Sequence, residues 1–338
     1  MHSRVIRLAT TAKVIIETFP RESNGMNQSS SRREFLRVVG AAGAGIALAN
    51  PLFGAKKKSV LLFTKSSAWE HDVVKNTGGK PSIVERAIRG LGEKNGFEVT
   101  ATKDGRIFES DDLYNHDAFF FFTSGELTKK GTDGNWPISE LGKKALIEAV
   151  DHGKGFVGVH AAADTFHTQP DPPDRSNRYI AHGEKSDPYL RMLGGEYIIH
   201  ARDEDPRLQT AKVIVNDAKF PGLEGVASPV SFQEEWYSLK DFVPDIHVIL
   251  TLDTHGMHGE CYQRAPYPVT WARLHGKGRV FYAAMGDRPE NWENAFFLNL
   301  LGGGIRWAIG EANAQIPPNL RSAAPGYAEI PPKSPPEN

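Results

Sequence analysis

Between Lys58 and Val159 the chain alternates short apolar runs with stretches of helical spacing, and few folds accept that alternation. KSVLLFT (Lys58–Thr64), DAFFFFT (Asp117–Thr123) and FVGV (Phe156–Val159) are too apolar for strands with one face in water. Phe97–Thr102 alternates and reads as a further strand. Between them, Pro81–Lys94 puts Ile83, Val84, Ala87, Ile88 and Leu91 at helical spacing, and Ile138–His152 does so with Leu141, Ala145, Leu146 and Val150. Strands buried on both faces and joined by helices predict an α/β fold: a mostly parallel central sheet with helices on both faces.

After His160 the pattern loosens. Thr168–Asn177 is a proline-rich loop. Glu196–Ala201, Ala211–Val215, Val230–Tyr237 and Ile246–Thr251 read as later strands, some antiparallel. Val269–Leu274 and Gly278–Ala284 form a hairpin-like pair around His275-Gly276-Lys277-Gly278, and Trp292–Ile309 reads as a closing helix. Beyond Asn313 the chain is rich in Pro and Ser without apolar periodicity, so residues 313–338 are expected as an extended or disordered tail. No repeat and no linker divides residues 56–312, which are expected to form one domain.

Residues 1–55 read as a leader. SRREFLRVVGAAGAGIALA (Ser31–Ala49) resembles a twin-arginine export signal: Arg32-Arg33, then Phe35-Leu36, then a mild apolar run too short to span a bilayer. Ala47-Leu48-Ala49 is the expected cleavage site, Gly54-Ala55 a second choice, and Met26 a candidate start. The expected location is periplasmic or extracytoplasmic, with no membrane span in the mature protein. The balance of 40 basic against 41 acidic residues gives no reason to expect nucleic acid as a partner. Cys261 is the single cysteine, so no intramolecular disulfide forms.

In an open parallel sheet, ligands bind outside the carboxyl ends of the strands. Three segments meet that rule: Thr64–Asp72 with His71, Thr123–Glu126, and the sharp bend Gly158-Val159-His160-Ala161-Ala162. An imidazole at such a bend can act as base, acid or metal ligand, because its free pKa lies near neutrality.

The series KSVLLFT…EHD, DAFFFFTSGELT, GKGFVGVHAAAD, LGGEYIIH, EEWY, PVTW, GKGRVFYAAMGD and GIRWAIG resembles the ThuA-like (trehalose utilisation) family over roughly residues 58–310. The resemblance implies a class I glutamine amidotransferase-like (flavodoxin-like) three-layer sandwich. There the bend carries a cysteine nucleophile in a G-x-C-x-G setting; His160 stands here, so cysteine-dependent amide hydrolysis is not expected. The family pattern picks out His71, His160, His200 and Glu234–Tyr237. Gly194-Gly195, Tyr197 and His200 match G-G-x-[FY]-x-x-H, and Pro268 and Trp271 match P-x-x-W. On a strand Glu235 and Tyr237 point one way and Glu234 and Trp236 the other, and the family's D-E-x-Y pattern implies that Glu235 and Tyr237 face the pocket. The chain departs from the pattern at Gly286-Asp287, where the family has G-H, and at Lys219-Phe220-Pro221, where an H-P pair is absent.

The resemblance implies carbohydrate processing, on disaccharides or their keto derivatives. His160 is the expected base, Glu235 its orienting partner or the acid, and Tyr237 a donor to a developing oxyanion. His71, Trp69, Trp236 and His200 are expected to bind substrate, the tryptophans by stacking. A divalent metal such as zinc is a candidate cofactor, with His71, His160, His200, Glu235 or Asp287 as ligands. The alternatives are a sugar-binding protein without catalysis and a metal-dependent hydrolase. His255-x-x-His258, in a Gly-rich loop, reads as solvated, and the two GKG runs read as turns.

Overall fold

The computed structural model describes residues 56–170, 172, 174–202 and 206–333. The leader and its export signal lie outside the described residues. Among these residues, β1 (Lys58–Phe63), β2 (Phe97–Thr102), β3 (Ala118–Phe121) and β4 (Gly155–Val159) supply the expected strands. α1 (Ile83–Asn95) joins β1 to β2, and α2 (Glu140–Asp151) joins β3 to β4. Both helices start where a serine can cap them. Ser82 Oγ accepts from Glu85 N–H at 3.1 Å, and Ser139 Oγ accepts from Gly142 N–H at 3.0 Å. α1 stops at Gly96, whose φ of +82° suits a left-handed cap.

The remaining elements are α3 (Pro188–Leu193), β5 (Glu196–Ile199), β6 (Gln209–Val215), β7 (Val230–Glu234), β8 (Ser238–Lys240), β9 (His247–Asp253), β10 (Tyr267–His275), β11 (Gly278–Ala283), α4 (Ala295–Ala308) and α5 (Leu320–Ala323). The main sheet runs β2-β1-β3-β4-β11-β10-β9-β6-β7, and β5 with β8 forms a separate two-stranded ribbon. Pairing is parallel from β2 to β11 and antiparallel from β11 to β7. The chain leaves β1 toward β2 and leaves β3 toward β4 in opposite directions. Right-handed crossovers then put α1 and α2 on opposite faces. The expected three-layer α/β sandwich is thus present.

Register places the site. Phe63 pairs with Phe121, Phe121 with Gly158, and Val159 with Ala283. Of the five parallel strands, β1, β3, β4 and β11 therefore end level, and whatever follows each of them shares one rim. The order in which strands are added reverses between β1 and β3, the position where open sheets of this kind form a crevice.

Three expectations need correction. Val230–Tyr237 is not one strand. β7 ends at Glu234, whose carboxylate accepts the N–H of Glu235 at 2.8 Å, and the chain turns off the sheet toward β8. The closing helix Trp292–Ile309 is a 3-10 turn (Pro289–Glu293) followed by α4, capped by Asn294. The C-terminal segment, up to residue 333, is ordered rather than a loose tail. Asn319 accepts from Val248 N–H at 2.6 Å and donates to Val248 O at 3.1 Å, next to where β6 stops pairing with β9. Leu320 and Ala324 are buried against the sheet. Proline hid this segment from any periodicity argument, because its order comes from hydrogen bonds to β9 and not from an amphipathic face.

Candidate functional site

His160 follows β4 with φ at +46°, a left-handed conformation that few residues with a Cβ adopt. The space for the bend is made by small neighbours. A Cβ on Gly158 would come within 2.7 Å of Leu193 Cδ1, and Ala161 and Ala162 are fully buried beneath the turn. The bend is held from below: Tyr282 Oη donates to His160 O at 2.8 Å.

The imidazole of His160 is fully buried, and its Nδ1–H donates to Ala284 O at 3.1 Å. A carbonyl only accepts, so the hydrogen sits on Nδ1 and the neutral ring carries a lone pair on Nε2. That lone pair faces Glu235 Oε2 at 3.5 Å, and neither atom has a hydrogen-bond partner. His71 Nε2 lies 3.9 Å from Asp287 Oδ1, and the His71 and His160 rings stand perpendicular at 5.1 Å. One ligand atom from each of His71, His160, Glu235 and Asp287 falls within 4.8 Å of the others. The first three are buried, while Asp287 keeps 25% of its side chain exposed and forms the open side.

These residues shift one another. Among the protein's own groups, burial opposes a charge on His160, but Glu235 beside it and the charges of Asp287 and Glu234 outweigh burial and raise its pKa to about 9. Burial, with His160 nearby, lowers His71 to about 3, so His71 is neutral and has a lone pair to offer. Burial also works against ionised Glu235, yet His160, His200 and Arg207 hold its carboxyl well below the usual range. Asp287 is raised, chiefly by burial.

Beside the Arg207 guanidinium that donates to Glu235, two carboxylates and two imidazoles this close can share one further cation, either a proton or a metal. A charge-assisted hydrogen bond between imidazolium and carboxylate spans roughly 2.7–2.9 Å. Four ligands on an ion at bonds of roughly 2.0–2.4 Å stand roughly 3.3–3.9 Å apart. The observed 3.5 and 3.9 Å fall in the second range, and the four ligand atoms all lie within 4.8 Å of one another. The donation from His160 Nδ1–H to a backbone carbonyl is also the arrangement that orients histidine ligands in metal sites.

Around this group, Tyr237 stacks on His160 with ring centroids 4.0 Å apart, and Tyr197 lies 4.3 Å from Tyr237. Burial raises the Tyr237 phenol well above its ordinary pKa, so it stays a donor. His200 is partly exposed, stacked at 6.0 Å from Tyr237, with Nδ1–H donating to Ala201 O at 2.7 Å. It stands outside the four-residue group. Arg207 reaches in from the loop before β6 and donates to Glu235.

The structure thus brings together His71, His160, Glu235, Tyr237 and Asp287, and leaves His200 beside them. The expected stacking role of Trp236 fails. Its ring is fully buried and its Nε1–H donates to Gln209 O at 3.0 Å, because the turn after β7 drives it into the core. Trp69 is 66% exposed, two residues before His71. His255 is an exposed loop residue paired with Asp253 at 2.6 Å. Sequence reasoning missed three groups. Glu234 was assigned to the opposite face, and is instead fully buried and linked to Gly286 and Asn291. Arg207 lies in no recognisable pattern, and Asp164, the last residue of GKGFVGVHAAAD, was not singled out.

A second histidine–carboxylate group, His182, Glu196 and Asp241, differs in kind. Lys240 Nζ sits among them, 3.0 Å from Glu196, 3.0 Å from Asp241 and 3.3 Å from His182. The lysine supplies the cation, so this group is structural. Glu196 also faces His167, which pairs with Asp164 at 2.7 Å.

The sequence pattern of a family described as trehalose utilisation, ThuA, matches residues 59–308. No curated protein sequence matches the chain. Among solved structures, a ThuA-like protein from Bacteroides uniformis is 18% identical with a TM-score of 0.52, the match covering 76% of this chain and 94% of that one. A ThuA-like protein from Parabacteroides merdae is 16% identical with a TM-score of 0.48, covering 82% and 98%. The first of these supports the fold alone, which in such proteins is glutamine amidotransferase-like.

Proposed function

The chain belongs to the ThuA family, and from that premise we propose that it is an exported carbohydrate-processing enzyme with a divalent cation at the bend after β4. The proposed substrates are disaccharides or their keto derivatives. The observation that carries this reading is the pair of buried atoms without a hydrogen-bond partner, His160 Nε2 and Glu235 Oε2, facing each other at 3.5 Å.

In this reading His71, His160, Glu235 and Asp287 hold the cation, and zinc or manganese suits such a mixed set of nitrogen and oxygen donors. When bound, the ion would polarise a sugar carbonyl and favour loss of a proton from the carbon beside it. The expectation that His160 is the base gives way to a ligand role, because its remaining lone pair points into the group of four. His200 suits the base better: its Nδ1–H is engaged with Ala201 O, which leaves the lone pair on Nε2, and it is partly exposed. Tyr237, kept neutral by burial, is placed beside His160 to donate a hydrogen bond to an oxygen that gains charge. Trp69 would offer a sugar an exposed aromatic face.

The test is turnover of a panel of keto-disaccharides before and after chelation. Chelator should abolish turnover and zinc or manganese should restore it, while His200→Ala should lower kcat by about 100-fold. Full turnover in exhaustively chelated protein would remove the metal from the reaction. Binding without turnover at any pH would leave a sugar-binding protein. Export is supported by Ser31–Ala49. Replacing Arg32 and Arg33 with lysine should retain the protein in the cytoplasm on cell fractionation, and unchanged export would contradict that part.

A further inference from the structure

The sheet does not join the two segments that carry the carboxylates of the four-residue group. Glu235 follows β7 and Asp287 follows β11, and β10, β9 and β6 lie between those strands in the sheet. No ladder fixes their spacing. Side-chain hydrogen bonds tie the two segments: Arg288 Nη1–H donates to Gln233 Oε1 at 2.7 Å, and Glu234 makes the largest set. Glu234 Oε1 accepts from Glu235 N–H at 2.8 Å, and Glu234 Oε2 accepts from Gly286 N–H at 2.6 Å and from Asn291 Nδ2 at 2.8 Å. We infer that Glu234 is a positioning residue for the metal centre, a carboxylate brace that sets the distance between the Glu235 and Asp287 ligands. The inference rests on the metal reading of the same site.

The chemistry of the brace selects a carboxylate. All its partners are donors, and none accepts. A glutamine would turn its NH2 either on its own chain's N–H or on Gly286 and Asn291. Glu234 itself gives no ligand atom to the four-residue group. The far end of the brace is rigid. Gly286 has φ at +122°, a Cβ there would meet Val159, Phe297 and Trp292 at 3.1–3.3 Å, and its carbonyl accepts from Trp292 Nε1–H at 2.9 Å. Asn291 also donates to Gln233 O at 3.3 Å, so the brace ties the end of β7 to the turn before α4 as well. Asp287 is the next residue along. Movement at Gly286 would be passed directly to it.

The experiment is cobalt and zinc binding to the full chain, read by competition with a chromogenic chelator and by the visible ligand-field spectrum of the cobalt form. Glu234→Gln should weaken the metal by roughly 10–100-fold and alter the cobalt spectrum. Glu234→Asp, which keeps an acceptor-only group but is one methylene shorter, should recover part of the affinity. A merely structural role would lower the melting temperature of the metal-free protein and leave the cobalt spectrum as it was. If Glu234→Gln does not fold, Glu234→Asp and Asn291→Ala carry the test, and both should bind more weakly than wild type. Wild type that binds, with variants of equal affinity and unchanged spectrum, overturns this inference alone. Wild type that takes up neither ion overturns the metal centre, and the brace with it.

Discussion

His160 holds a backbone conformation that costs roughly 1–2 kcal/mol for a residue with a Cβ, and the φ of +46° is a property of the site rather than of the side chain. Glycine would adopt it freely. His160→Gly should therefore be more stable to denaturant than His160→Ala by about 1 kcal/mol, although both lose the imidazole. Equal stabilities would mean that the bend is unstrained. The place of the imidazole was legible in the sequence, because a buried strand ending at a polar residue among glycine and alanine has few other readings. The sequence left base and ligand both open for it; the tautomer that favours the proposed ligand role was not legible, since it depends on Ala284 O, 124 positions away, taking the other ring nitrogen's hydrogen.

The β5–β8 ribbon is tied to the loop after β4 by charge. His167 lies between Asp164 and Glu196, and Lys240 between Glu196 and Asp241. Burial opposes ionisation of both His167 and Glu196. Even so, Asp164 and Glu196 raise His167 to about 9, while His167 and Lys240 lower Glu196 to about 2. The signs follow. The His167 contribution is full below its ordinary pKa near 6.5 and is lost as pH rises through about 9. The Glu196 contribution is full above 4.5 and is lost as pH falls toward about 2. Unfolding free energy from denaturant titrations between pH 5 and pH 10 should fall on the alkaline side, and His167→Gln should flatten that limb by up to about 3 kcal/mol. Parallel curves for the two proteins would contradict the assignment. No sequence pattern announces this network, because its members are spread from residue 164 to 241. The parallel strands were readable from apolar runs alone. The break after β7 was not, since it depends on Glu234 taking its neighbour's N–H in place of a ladder partner.

For the molecule as a whole, the alternation of strands and helices settled the layered architecture, and level strand ends then brought four separated segments to one rim. Composition added little beyond a balanced charge. Among the described residues no helix is long and apolar enough to cross a membrane. The C-terminal segment shows the limit of periodicity: it lacks an amphipathic pattern yet completes the β9 edge through Asn319. His71 and Asp287 joined the site for reasons of topology, since each follows a strand of the parallel half, whereas Arg207 arrived from the antiparallel half. The account turns on whether His71, His160, Glu235 and Asp287 together hold an ion. Metal content after dialysis against zinc or manganese, measured on wild type and Glu235→Gln, tests this most directly. The account predicts one equivalent in wild type and loss of most of it in Glu235→Gln; equal uptake by the two proteins, or none by wild type, would contradict it.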